Sequence, residues 1–137
     1  MHLTIKSRIN RVDLARYLIL YKYGGFFIDL DMECLKPLDR FTQFGGLIVA
    51  KMSDNDTQSY AEHNIPNSWM ASTKGHPLLE DILTSLSNRY EKDTSVESTT
   101  GSIFLYREIN KYQTRQINEH TSSLVADDII FLDAGIL

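Results

Sequence analysis

Apolar positions in this chain switch between two periods. Over residues 8–23, RINRVDLARYLILYKY, Ile9, Val12, Ala15 or Arg16, Ile19 and Tyr23 recur at spacings of three and four, which predicts an amphipathic helix with that stripe facing the core. Ser7 stands as its N-cap, and Gly24 falls where a left-handed C-terminal glycine is expected. Gly25 then permits a tight reversal into FFIDL, a short run of strand composition. CLKPLDRF leaves that strand as a turn, with Pro37 as the stop.

GGLIVAKM, residues 45–52, predicts a second strand, SDNDTQSYAEHN a polar loop, and PNSWMASTKG a short extended segment ending at Gly75. His76 and Pro77 lead into a helix, PLLEDILTSLSNRYEK, with Pro77 at its first position, where a missing N–H costs nothing. DTSVESTTG reads as a polar loop, SIFLYREINKYQTRQINEH as a further helix, and Ile129–Leu132 as a last strand. Helices alternating with short strands, with no repeat, low-complexity tract or linker, give one α/β domain over residues 1–137.

Composition narrows the function classes. The 137 residues carry a net charge of −4, which points away from nucleic acid and acidic membranes as partners. No run approaches the roughly 20 apolar residues of a membrane span. The N-terminus has basic residues but no continuous apolar core or small-residue cleavage site, so no secretory signal is expected. Cys34 stands alone, so no internal disulfide can form, which fits a reducing, cytoplasmic location.

The chemistry concentrates in YGGFFIDLDMECLKPLD. If the strand continues through FFIDL, alternation puts Asp29 and Asp31 on one side with Phe27, and Leu30 on the other. At the carboxyl end of a strand they would sit where open α/β sheets bind ligands. Two adjacent carboxylates repel unless a cation lies near, and carboxylate oxygens suit hard ions such as Mg²⁺ or Mn²⁺. An Asp-x-Asp alone is equally satisfied by one aspartate capping a turn and the other in water. A calcium EF-hand fails, because its sixth position would be Cys34 and its twelfth Arg40. A phosphatase of the haloacid-dehalogenase type also starts with Asp-x-Asp after an apolar strand. It usually has Thr or Val where this chain has Glu33, and Asp127 and Asp128 could stand in for its later acidic pair. Upstream, Asp13 and Arg16 lie three apart on the helix and share a face. That pair is either a local salt bridge or a fork of hydrogen-bonding groups for sugar hydroxyls and phosphate.

Taken together, RVDLARYLILYKYGGFFIDLDMECLKPLD resembles the core signature of the glycosyltransferases with a DXD-containing sugar-binding region, the family of capsular-polysaccharide and Och-type mannosyltransferases. The shared pattern is Asp-x-x-Arg-Tyr, a tyrosine-rich turn, Gly-Gly, an aromatic and Asp-x-Asp. It continues more loosely through NSWMASTKGHPLLEDIL and STTGSIFL. The resemblance implies a truncated or minimal GT-A-like, Rossmann-related α/β domain, incomplete at both ends. It implies metal-dependent transfer of a sugar from a UDP- or GDP-sugar to a glycan or other hydroxyl acceptor, with retention, and Mn²⁺ or Mg²⁺ as cofactor.

Residue by residue, the resemblance implies that Asp13 and Arg16 contact the sugar being transferred. Asp29 contacts that sugar or the ribose and helps organise the metal, and Asp31 ligates the metal directly. Gly24 and Gly25 keep backbone close to the nucleotide-sugar. Phe27, where the family usually has Tyr, lines the pocket, and Asn67, Thr100 and Gly101 fall where the family builds its sugar and acceptor walls. Ser102 replaces a proline frequent in the family. A non-catalytic sugar- or nucleotide-sugar-binding module is the alternative from another class, and exposed apolar sheet edge or face leads to an expectation of self-association. Trp69 is either a sugar-stacking platform or a core aromatic. His63 and His76 read as ordinary surface or turn residues, and Cys34 as a buried structural thiol.

Overall fold

The arrangement of the chain comes from a computed structural model, which describes residues 8–52, 64–89, 95–119 and 128–133. Helix α1 (Arg8–Tyr23) is followed by β1 (Gly25–Ile28), β2 (Leu47–Ala50), β3 (Trp69–Ser72), α2 (Pro77–Arg89), α3 (Val96–Thr99), α4 (Ser102–Glu119) and β4 (Ile129–Leu132). Leu38–Phe41 form one 3₁₀ turn after Pro37. The four strands make one mixed sheet in the order β1-β3-β2-β4. β3 runs antiparallel to both β1 and β2, and β4 is parallel to β2, so β1, β2 and β4 all point the same way.

Alternation along the strands divides the core in two. Leu47, Val49, Met70 and Ile129 face the helices and pack with Tyr17 and Leu20 of α1, Leu78, Leu79 and Ile82 of α2, and Leu105 and Ile109 of α4. Ile48, Ala50, Trp69, Ala71 and Leu132 face the other way onto Phe41. With both faces covered, the strands read as continuous apolar runs rather than alternating ones. The observed architecture is the α/β class expected for a small GT-A-like domain.

Several expectations shift. FFIDL does not continue as strand: β1 ends at Ile28, and after one last ladder bond from the Asp29 N–H to the Ser68 carbonyl (2.8 Å) the chain turns, Met32 N–H bonding back to the Asp29 carbonyl. Asp29 and Asp31 therefore lie in a turn beyond the strand, and their common side is not set by strand alternation. The polar loop DTSVESTTG contains α3, because Ser95 caps it by accepting the Ser98 N–H at 3.2 Å. The stripe predicted for the buried face of α1 is on the wrong side: Ile9 (59 %), Val12, Ile19 and Tyr23 are exposed, while Asn10, Asp13, Leu14, Arg16, Tyr17 and Leu20 are buried. Ser7, His63, Asp127 and most of the loop after Met52 lie outside the described residues.

At the amino edge of the sheet, His76 is buried rather than on the surface. Its Nδ1 accepts the Leu78 N–H at 3.2 Å, capping α2, which leaves Nε2 to carry the proton toward the Asp128 carbonyl at 3.2 Å. The Tyr112 hydroxyl donates to the Asp128 carboxylate at 2.5 Å. Burial and this bond push the Tyr112 phenol up to about 12. The cluster ties the starts of α2 and β4 to α4.

Candidate functional site

The two candidate motifs meet because a helix and a strand of matched length are folded back at Gly24. From Arg16 to Gly24 the helix rises about 12 Å. From Gly25 to Asp29 the strand runs back about 13 Å. The reversal needs Gly24: its φ is +70°, and a Cβ there would stand 2.8 Å from the Lys74 nitrogen and 2.9 Å from the Ser72 carbonyl oxygen. Asp29 thus returns beside Arg16, with Oδ1 3.4 Å from a guanidinium nitrogen.

Around that contact lies a buried polar network. Asp13 Oδ1 is 3.1 Å from the Arg16 guanidinium and accepts from the Asn67 amide at 3.0 Å, while Oδ2 accepts from the Thr100 hydroxyl at 2.6 Å. Arg16 also donates to the Asn67 carbonyl and lies over the Phe27 ring, 4.6 Å from its centroid. The Tyr17 hydroxyl donates to the Thr100 carbonyl at 2.8 Å. Arg16 is 5 % exposed and Asp13 4 %, so this is not the weak surface salt bridge that three-residue spacing also allows. One donor of the network is left over: among the described residues the buried Arg16 Nε has no partner. An orphaned buried N–H carries about 1–3 kcal/mol of desolvation cost, which an incoming oxygen would relieve.

Burial pushes the Asp13 carboxyl above its ordinary value, against the opposing pull of the Thr100 hydroxyl, the Arg16 charge and the Asn67 amide. Burial, helped by the Asp13 charge, raises the Tyr17 phenol as well. Asp29 is partly open to solvent, which makes it the accessible mouth of the network, and Asp31, two residues on, is exposed. Two carboxylates, Asp13 and Asp29, then flank one guanidinium, an excess of negative charge that favours a cation.

Among the described residues, no three His, Cys, Asp or Glu side chains converge to hold a metal ion by themselves. The set that is present, two carboxylates in a turn with one half-buried and one exposed, fits a hard divalent ion bound through one or two carboxylates and completed by substrate phosphates and water.

The structure brings Asp13, Arg16, Phe27, Asp29, Asn67 and Thr100 together, with Asp31 two residues on. Gly24 and Gly25 are a strand length away, at the opposite edge, where they pack on the β3 end instead of approaching Asp29. Gly101 acts at one remove: a Cβ there would lie 2.9 Å from the Glu97 Cα, so glycine lets α3 and α4 close up and sets Thr100 against Asp13. Trp69 is 3 % exposed between Phe26 and Phe41, with edge-on contacts to both rings, and is a core aromatic. Cys34 is exposed, not buried, because the turn after β1 carries it out of the core. Asp128 stands at the amino end of β4, the far edge of the sheet from Asp29, so it cannot supply a phosphatase's second acidic group.

Two residues of the network have no sequence assignment, Asn10 and Tyr17. The Thr100 hydroxyl is 3.4 Å from Asn10 Oδ1. The signal was there: Asn10, Asp13, Arg16 and Tyr17 form a polar stripe at helical spacing.

Comparison with known proteins bears on the same residues. Residues 1–46 match the family model described as glycosyltransferase sugar-binding region containing DXD motif. The chain is 35 % identical over 108 residues to inositol phosphoceramide mannosyltransferase 1 of Schizosaccharomyces pombe, covering 76 % of this chain and 31 % of that protein. It is 29 % identical over 132 residues to an uncharacterized glycosyltransferase of Acanthamoeba polyphaga mimivirus, covering 96 % and 47 %. An initiation-specific alpha-1,6-mannosyltransferase of Candida albicans is 28 % identical over 95 residues, 58 % and 25 % of the two chains. The chain spans less than half the length of each of these relatives. No solved structure matches it.

Proposed function

We propose that this chain, whose residues 1–46 match the DXD-containing sugar-binding region of the glycosyltransferases, binds a nucleotide-sugar at the Asp13–Arg16–Asp29 network and transfers the sugar to a hydroxyl acceptor. The supporting observation is the network itself: a buried Arg16 held between Asp13 and Asp29, with an Nε that has no partner among the described residues, and an exposed Asp31 two residues beyond Asp29. The relatives' names favour mannose as the sugar, hence GDP-mannose over a UDP-sugar, and a glycan or phosphoinositol lipid as the acceptor.

Asp29 and Asp31 are the residues that would hold Mn²⁺ or Mg²⁺, which when bound neutralises charge on the departing diphosphate. Arg16 supplies fixed guanidinium donors to sugar or phosphate oxygens, held in place by Asp13, the Asn67 carbonyl and the Phe27 ring. Both Asp13 oxygens already accept bonds from Thr100, Asn67 and Arg16, so most of its role is to fix Arg16. Catalysis of this kind is chiefly electrostatic and positional, without a protein nucleophile. Retention at the anomeric carbon belongs to this reading and is checked by the configuration of the product.

The test is Asp31→Asn. Because Asp31 is exposed, the variant should keep the fold and lose metal-dependent hydrolysis or transfer from GDP-mannose. Turnover that survives the change removes the metal role. Self-association is also part of the proposal, supported by the exposed stripe on α1 and by β1 being an edge strand among the described residues, and light scattering measures it directly.

A further inference from the structure

A second concave feature lies along the same edge of the sheet. Lys51, Asn64, Tyr106, Ile109, Asn110 and Phe131 line an open cavity of about 330 Å³. Tyr106, Ile109 and Asn110 share one face of α4, three and four residues apart. Lys51 follows β2, where its N–H bonds the Leu132 carbonyl at 2.8 Å and continues the ladder. Phe131 is on β4, and Asn64 is on the segment that leads into β3.

Both the face and the edge of the sheet are those of the Asp13–Arg16–Asp29 network. Phe27, Tyr106 and Phe131 all pack against the cluster between sheet and helices. Asp29 and Lys51 both stand just beyond the carboxyl ends of strands that point the same way. With β3 between β1 and β2, and β4 outside β2, the cavity's strands lie about 10 and 14 Å from that of Asp29 at the usual strand spacing. That is the scale of two sugar rings end to end. Residues 64–67 connect the places directly: Asn64 lines the cavity, and Asn67 bonds Asp13.

The lining chemistry selects a ligand class. Tyr106 and Phe131 put aromatic side chains in the lining, a chemistry that suits the apolar side of a six-membered ring. Asn64, Asn110 and Lys51, whose ammonium is 3.6 Å from Asp133, add amide and ammonium groups of the kind that bond hydroxyls. The volume suits a small ligand or the head group of a larger one.

We propose that this cavity is the acceptor subsite, which binds a polyhydroxylated six-membered ring, a hexopyranoside or a cyclitol head group, with a hydroxyl directed along the sheet edge toward Asp29. The assignment rests on the transferase reading of the Asp29 site. Two-dimensional amide NMR of the full chain, titrated with methyl α-mannopyranoside, methyl β-glucopyranoside and myo-inositol, tests it. The expected result is saturable shifts at Asn64, Tyr106 and Asn110 with at least one probe, weakened at least about tenfold, or about 1.4 kcal/mol, by Asn110→Leu and by Lys51→Met. Asn110 is exposed on α4, so its variant should fold. The responding probe tells a pyranoside from a cyclitol source. Shifts confined to Asp13, Arg16 and Asn67, no shift with any probe, or affinity unchanged in both variants would overturn the subsite. A parallel titration with GDP-mannose and Mn²⁺ keeps the two ideas apart: if it shifts the Asp29 region while no ring probe touches the cavity, only the acceptor subsite falls. If it shifts nothing, the transferase reading itself falls.

Discussion

Replacing Arg16 by methionine isolates the charge at the centre of the site, since methionine keeps an apolar stem against Phe27. In the native protein the Asp13 carboxylate is 3.1 Å from Arg16 and both groups are buried. The variant leaves Asp13 with only the Thr100 and Asn67 donors. Removing one partner of a buried ion pair costs about 3–5 kcal/mol, because the other charge remains out of water. Against a total stability of about 5–15 kcal/mol that is a large loss. Asp13 has an escape: burial already holds its carboxyl above the ordinary value, and without Arg16 it rises further. A raised native pKa means that the folded state binds the proton more tightly than the unfolded chain. The penalty for ionised Asp13 is therefore absent below the unfolded carboxylate value and grows as pH rises through the native one. The deficit of Arg16→Met should shrink, by up to about 1.4 kcal/mol per pH unit, as pH falls from the point where Asp13 of the variant takes up its proton to the lower point where that of the wild type does. Urea unfolding at about pH 7 and about pH 5, wild type against variant, measures it. Adding Asp13→Asn to the variant should recover most of the loss near neutrality, because removing both members of a buried pair is close to neutral. A deficit that is equal at both pH values and unmoved by Asp13→Asn would refute the reasoning.

Gly24→Ala should cost about 1–3 kcal/mol from its left-handed backbone alone, with further loss from the Ser72 and Lys74 contacts. An unchanged urea midpoint would contradict this. His76 gives a pH dependence of the opposite sign to Asp13. Burial holds its pKa below the ordinary histidine value of about 6.5, so its contribution is complete above that value and is lost as pH falls through it. His76→Gln should flatten the decline in stability between about pH 7 and about pH 5, and an unaltered slope would show that the imidazole is not responsible.

Local periodicity carried much of the fold. The bounds of α1 follow from spacing and from Gly24, and Ile129–Leu132 from its apolar run. What it could not carry was the facing of α1. Apolar spacing selected Ile9, Val12, Ile19 and Tyr23, yet the helix buries Asp13 and Arg16 because Asn67 and Thr100, more than fifty residues away, satisfy them. Nor could it place the end of β1. Asp29 makes the last ladder bond to Ser68 and the chain then turns, a boundary set by the partner strand and not by the composition of FFIDL. The sheet order β1-β3-β2-β4 is likewise a long-range result. The candidate site was legible as residue types, Asp13, Arg16, Asp29 and Asp31. Its supports Asn10 and Tyr17 were signalled only by their place on the same helical stripe, and the role of Gly101 in seating Thr100 became visible only once the elements were packed.

The central claim is that Asp29 and Asp31, with Arg16 behind them, form a metal-dependent nucleotide-sugar site. Thermal unfolding of the chain with GDP-mannose, with UDP-glucose as comparison, each with and without Mn²⁺, tests this most directly. A ligand at about 100 times its dissociation constant stabilises by about 2.7 kcal/mol, well within reach of the measurement. The expected result is a rise in Tm with nucleotide-sugar and Mn²⁺ together, little with either alone, and none in Asp31→Asn. Equal stabilisation without the metal, or an undiminished shift in Asp31→Asn, would contradict it.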